Sequence, residues 1–299
     1  MIPVLLGVAI LIFSIMYFVP GDPARIILGS DASELSVMQL REEMGLNEPF
    51  LVQLINFLKD LVRLDFGKSY ITNVSVIEEF AQRIPQTLIL GLTTLILSML
   101  IGIPLGITAA IHQDGLADRI CMFIALFCIS MPEFWTGLMF VIIFALRLHL
   151  LPAFGIGSFA HYILPCIAGS LGGIAIQARQ ARSSMLEVIR SDYISTAKAK
   201  GISGRQVIWR HALPNAMVPI LTVAGSLFAT LFGGSVVLET VFSIPGVGMY
   251  MMTAINNRDY PCVRSCVVIL AFIFGMVMLL VDIVYAFVDP KIKAQYERK

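Results

Sequence analysis

Apolar residues in this chain fall in long runs, not in alternation. Six runs reach or approach the roughly 18 residues that mark a membrane-spanning helix: Ile2–Val19, Gln86–Ile111, Ile120–Leu146, Tyr162–Gln177, Ala216–Leu238 and Cys262–Val288. Runs of this length exceed the strands of a barrel, so the pattern predicts an all-α membrane protein with six transmembrane helices. The fourth run is the shortest and carries Gly169, Gly172 and Gly173, which suits a helix packed closely against its neighbours. The first run lacks the marks of a cleaved signal peptide, because no basic residue precedes it and Pro20-Gly21-Asp22-Pro23 is a poor cleavage site. The basic flank usual before such a span is missing, as a start upstream of Met1 would explain.

Two polar stretches between the runs have patterns of their own. In residues 20–85, Leu35–Met44 and Pro49–Leu64 read as amphipathic helices, with Ser33 and Asn47 as caps and Gly45 as the stop of the first. The stretch Arg179–Asn215 holds 37 residues, and a connection of that length inside a bundle generally has a job. Met185, Ile189, Tyr193 and Ala197 recur every four residues, predicting one apolar ridge on a helix that continues the fourth span. Gly201 then provides the stop. Ser203 with Gln206 three residues later predicts the capped start of a second, short helix, which carries Val207, Ile208 and Trp209 beside Arg205, Arg210 and His211 and ends at Pro214. The organisation expected is a first span over 1–19, an outer segment over 20–85, and a five-helix core over 86–299 that includes the loop 179–215.

Composition agrees. The chain has 299 residues, 58% apolar and 14% charged, with a mean hydropathy of +0.85. The charged share is little more than half the roughly 25% usual in soluble proteins. A formal net charge of +1, with no strongly basic segment, argues against a nucleic-acid partner. The distribution of Lys and Arg sets the orientation. The loops 111–119, 179–215 and 289–299 hold twelve, against two (Arg147 and Arg258) in the opposite short loops. Both termini are therefore expected in the cytoplasm and residues 20–85 outside, since long loops translocate largely regardless of charge. That outer segment has ten acidic and six basic residues. It reads equally well as a cap packed on the bundle or as a docking face for an external partner.

Catalytic machinery is not in view. Cys121, Cys128 and Cys166 lie inside spans as small apolar side chains, and Cys262 and Cys266 sit one helical turn apart near the outer end of the last span. The four histidines are scattered, no Cys/His ligand cluster exists, and no phosphate-binding or nucleophile motif occurs, so no metal site and no enzyme activity are expected of the chain itself. Membrane-depth charges need a reason. Glu133, which follows the helix-kinking Pro132, could face a solute path and attract a cation, or pair with a neighbouring helix. Asp282 fits helix packing better. A short amphipathic helix displayed on the cytoplasmic face is better explained as a knob for a groove in a soluble partner than as a lipid-facing charge patch.

Several of these motifs together carry a resemblance. Ser195-Thr196-Ala197, three residues, Gly201, nine residues and His211-Ala212-Leu213-Pro214 resemble the EAA loop of permease subunits of bacterial ABC importers. The Thr196–Gly201 stretch is similar to the dipeptide/oligopeptide/nickel branch. So are Pro20–Pro23, Met44-Gly45-Leu46, Asp65-Phe66-Gly67, Ser130-Met131-Pro132, Glu239–Gly248, Asn257–Pro261, Val281-Asp282 and Asp289-Pro290. The resemblance spans nearly the whole chain. It departs at Ser195-Thr196, where the general signature has Glu-Ala, and at Arg264 and Ser265, where the branch more often has Gln and Gly.

The resemblance implies a type I importer fold in the bacterial cytoplasmic membrane. It implies a second homologous permease completing the pathway, two cytoplasmic ATPases that bind the ATP and Mg, and an extracytoplasmic solute-binding protein. It marks Ala197, Gly201, Ser203, Arg205, Gln206, Trp209, His211, Leu213 and Pro214 as the ATPase-coupling residues, with Glu133 and Asp282 as the candidates for the solute path. Peptides are the expected cargo, nickel or a metal chelate the alternative. A membrane-embedded enzyme is the reading from another class, and it would need paired catalytic groups at matching depth.

Overall fold

The computed structural model describes residues 1–19, 21–29 and 31–288, with the side chains at 229, 231–235, 282 and 284–288 excepted. The described residues are helical, and apart from an isolated bridge between Lys68 and Ser75 they contain no strand. The chain divides into two compact units, Met1–Thr87 with Pro245–Gly275, and Leu88–Ile244 with the chain from Met276 onward.

In the first unit, α1 (Ile2–Phe18) buries Ala9, Phe13 and Met16 and leaves Val4, Leu11, Ile15 and Phe18 exposed, as a helix against lipid would. The outer segment forms α2 (Pro23–Leu28), α3 (Glu34–Glu43) and α4 (Phe50–Val62). Ser33 caps α3 as expected, its hydroxyl accepting from the Ser36 N–H at 3.1 Å. Asn47 does not cap α4. That helix starts at Pro49 without a side-chain cap, and Gln53 instead reaches back to the Leu46 and Glu48 carbonyls at 3.2 and 2.7 Å. Phe13 of α1 packs its ring 5.5 Å from both Phe50 and Phe57 of α4. Helix α12 (Val247–Asn256) begins where the Val247 N–H donates to Thr87 Oγ1 at 2.9 Å.

Two sequence motifs meet in this unit. A Cβ on Gly21 would collide with the Arg258 guanidinium, Gly21 itself has φ +143°, and Tyr260 donates to the Gly21 carbonyl at 3.4 Å. Only glycine fits there. Asp259 is buried and accepts from Ser69 Oγ and from the Tyr70 N–H at 3.1 Å, which fastens residues 66–75 to the start of α13 (Tyr260–Val288). Burial around this anchor pushes the Tyr70 phenol up from its ordinary value, against the lowering effect of the Arg264 cation.

The second unit is built around α8 (Ala160–Ile189), which packs against α6 (Leu116–Ser130), α7 (Glu133–Arg147, its last seven residues in the wider π register) and α11 (Leu213–Val241). Of the three glycines expected to pack closely, Gly169 and Gly173 do so and Gly172 faces open space. Gly173 lies against Ser98 of α5 (Val76–Ile111), Gly169 against Leu238 of α11, and a Cβ on Gly102 would stand 2.7 Å from the Ile174 carbonyl of α8. Backbones approach this closely only where side chains are absent.

The six-helix expectation is met in part. Val76–Ile111, Ala160–Ile189, Gly204–Phe228 and Tyr260–Val281 are long and apolar enough to cross a membrane. The third predicted span is broken: α6 and α7 meet at 92°. Pro132 has no N–H, and the residue before a proline is driven out of the helical region, so Met131 is extended with ψ 121°. Each half, 15 residues long, reaches about 22 Å, short of the roughly 30 Å hydrocarbon core. Helix α1, at 17 residues, is one turn short of a full span at about 26 Å.

Candidate functional site

The stretch 179–215 departs from its predicted form in two places. The helix continuing the fourth span stops at Ile189, and Ser191 turns its hydroxyl back onto the Val188 carbonyl at 2.6 Å before α9 (Asp192–Ala199) starts. That break resets the helical register. The ridge therefore runs through Met185, Ile194 and Ala197, all buried, while Tyr193 points outward. Gly201 follows with φ +77°, the left-handed turn expected of it.

Ser203 then caps α10, its Oγ accepting from the Gln206 N–H at 3.4 Å. This short helix (Gly204–Gln206 and the π turn Val207–Ala212) does not end at Pro214. It runs directly into α11, where Pro214 sits in the first turn, the one place a helix tolerates a missing N–H. The Asn215 amide donates to the His211 carbonyl at 2.8 Å and helps carry the chain through. The π turn also sorts the side chains. Val207 and Ala212 are buried with Ile194, Ala197, Ala216 and Ile220, and Ile208 and Leu213 pack at the edge of that core. Arg205, Gln206, Arg210 and Pro214 face outward, His211 is half-buried, and Trp209 keeps 54% of its surface exposed. The result is a helix fixed on one side and bare on the other, the bare side carrying Trp209, Arg205 and Arg210.

Glu133 occupies the first turn of α7, half-buried, with no hydrogen bond or ion pair among the described residues. It borders a cavity of 270 Å³ whose wall is largely apolar (Leu95, Met131, Leu171, Ile176 and Leu227 among others), with the hydroxyls of Thr94 and Ser98 of α5 and Thr230 of α11 and the bare backbone of Gly169, Gly172 and Gly173 of α8 set into it. Gly169 is what lets the carboxylate in, since a Cβ there would sit 3.2 Å from its Oε1. The side chain of Asp282 lies outside the described residues. Sequence reasoning overlooked Thr94 and Ser98, although two hydroxyls one turn apart in an apolar run were the available signal. It also overlooked Gln177, fully buried with neither carboxamide atom hydrogen-bonded among the described residues, one residue from the cavity-lining Ile176. Among the described residues no three His, Cys, Asp or Glu side chains gather as metal ligands would need.

Known proteins resemble the chain over its whole length. The pattern of the family described as "Binding-protein-dependent transport system inner membrane component" matches residues 102–294, and that of its N-terminal part matches 1–91. The dipeptide transport system permease protein DppB of Alkalihalophilus pseudofirmus is 43% identical, over 98% of this chain and 96% of that one. The glutathione transport system permease protein GsiC of Salmonella choleraesuis is 38% identical over the same shares. Among solved structures, an inward-facing conformation of the MetNI methionine ABC transporter aligns with a TM-score of 0.59 at 16% identity, covering 71% of this chain and 97% of that one. At that identity it speaks for the fold alone. The chain belongs to the binding-protein-dependent transport system inner membrane components, the permease family of ABC importers.

Proposed function

We propose that the chain forms half of the solute pathway of an ATP-driven importer of di- or oligopeptides, and that the bare side of α10 is its coupling surface. One observation carries the reading: Val207 and Ala212 fix α10, capped by Ser203, to its own core, while Trp209, Arg205 and Arg210 are left facing outward. A helix held this way transmits a push, because its inner side cannot slide independently of α9 and α11. The partners are a second permease of the same family, two ATPases that carry the ATP and Mg, and a solute-binding protein outside. The chain has no catalytic step of its own. Relatives named for dipeptide and glutathione transport favour peptides over nickel as cargo.

In this reading the broken pair α6–α7 counts as one crossing and α1 as the sixth, with both termini in the cytoplasm. Glu133, bordering a largely apolar cavity that also shows the hydroxyls of Thr94, Ser98 and Thr230, meets the cationic end of the solute, and Asp282 serves packing. The test is uptake by the complex reconstituted with its partner subunits, offered labelled dipeptide with nickel as competitor. ATP-dependent peptide uptake insensitive to nickel is expected. Nickel uptake that peptide does not displace would refute the cargo, and no ATP-dependent uptake of either would refute the importer. Orientation is tested by Lys200→Cys and Gln39→Cys, both exposed positions, which should be labelled from opposite sides.

A further inference from the structure

A second cavity, of 680 Å³, opens between α6 and α8 at the end of the bundle that carries the basic loop. Arg179, Arg182, Glu187 and Arg190 of α8 line it together with Met122 of α6. Arg182 is already committed: its Nε and Nη2 each reach one oxygen of Asp118 at 2.7 Å, and Asp118 accepts the Asp114 N–H as well. Arg179 and Arg190 are exposed and form no ion pair among the described residues, with Arg190 donating only to Gln113 Oε1 at 3.2 Å. Arg119 adds a third exposed cation next to Asp118. Asp118 is engaged by Arg182, and Glu187 is the one carboxylate that lines the cavity itself, set against the unpaired Arg179 and Arg190, so the mouth is cationic.

Its depth matters as much as its charge. Arg179 is the first charged residue on α8 after the apolar run 162–177, and Arg119 is the last on α6 before the run beginning at Ile120. The inner end of the cavity therefore sits where both helices change from apolar to charged, and its lining runs outward along α8 to Arg190, about 16 Å farther on, through the depth of a headgroup layer. Below it the surface of α6 stays bare and apolar. Leu126, one turn deeper than Met122, is exposed, and beside it the exposed rings of Phe123 and Phe127 stack with centroids 6.5 Å apart. A cationic mouth above a continuous apolar track has the two-part chemistry of an anionic phospholipid, phosphodiester above and acyl chain below.

We propose that this cavity holds the headgroup of an anionic phospholipid of the leaflet at that end of the bundle, with Arg179 and Arg190 on the phosphate and the acyl chain along Met122 and Leu126. Arg182, locked to Asp118, is the wall that keeps α6 and α8 in place around it. The site would tie the α8 extension, and the α9–α10 segment that follows it, to the membrane surface.

The experiment purifies the importer complex with wild-type permease, Arg179→Gln/Arg190→Gln, Arg179→Lys/Arg190→Lys or Lys198→Gln in mild detergent. Each is delipidated and titrated with mixed micelles of phosphatidylglycerol or of phosphatidylcholine, with bound lipid counted by native mass spectrometry. Wild type should retain phosphatidylglycerol and not phosphatidylcholine. The double Gln variant should bind it about thirtyfold more weakly, the effect expected of two basic residues at a membrane surface. The double Lys variant should keep most of the binding, and Lys198→Gln, on α9 away from the cavity, all of it. Equal retention of the two lipids by wild type, or unchanged binding in the double Gln variant, would overturn the proposal. So would a double Gln variant that binds lipid normally and loses a partner subunit, which would make the cavity a protein interface. If the double Gln variant does not fold, the two lipids compared on wild type and on the Lys variant decide alone.

Discussion

Trp209→Ala tests docking most directly, because more than half of Trp209 is left uncovered by its own chain. A tryptophan side chain can bury up to roughly 250 Å². With 54% of the residue still exposed, about 135 Å² remains for a partner to cover. At about 25 cal/mol per Å² that area is worth about 3 kcal/mol, and ordering the side chain at the interface takes back about 1 kcal/mol. Truncation should therefore weaken ATPase association by about 2 kcal/mol, or about thirtyfold. Thermal stability of the permease alone is measured beside it, because the covered part of Trp209 also loses contacts on truncation. Val207→Ala is the counterpart: buried with Ile194 and Ala212, it should lose about 2 kcal/mol of the loop's own stability. The assay is titration of the purified permease pair with its ATPase in detergent, followed by a thermal melt of each variant. If Trp209→Ala, still folded by its melt, binds the ATPase like wild type, the bare side of α10 is not the docking surface.

Three further outcomes are expected. Gly201→Val should keep ATPase association within a fewfold while lowering solute-stimulated hydrolysis, since a β-branched residue is strained at φ +77° and would shift α10 as a whole; unchanged stimulation would refute this. Asp259→Ala should loosen residues 66–75, seen as faster amide hydrogen exchange there, because it strips the acceptor from Ser69 and the Tyr70 N–H; hydrogen bonds to a charged group are worth about 1.5–3 kcal/mol each, and wild-type exchange would count against the anchor. Glu133→Gln should reduce uptake of a cationic peptide more than that of an anionic one, and an equal loss would return the carboxylate to a packing role.

The sequence by itself determined the class, the placement of the long helices and the punctuation of the coupling segment. Each follows from a short-range cause: apolar runs long enough for a bilayer, Gly201 free to turn left-handed, Ser203 placed to cap three residues on, and glycines where α5 and α8 meet. What it missed depends on how neighbours resolve a local choice. Pro132 announces a kink, but whether a chain bends slightly or turns through 92° depends on what the two halves can pack against, here the side of α8. Pro214 ends a helix in isolation and does not end this one, because the π turn places it in a first turn that the core around Ala212 and Ala216 holds in line. The break at Ser191 moved the buried position from Tyr193 to Ile194, a single-residue change that periodicity is blind to once a helix restarts. The Gly21–Arg258 contact and the Asp259 anchor join positions about 190 to 240 residues apart, which no local pattern encodes. Local propensity decides where a helix can begin; burial of one of its faces against another helix decides which residues it presents.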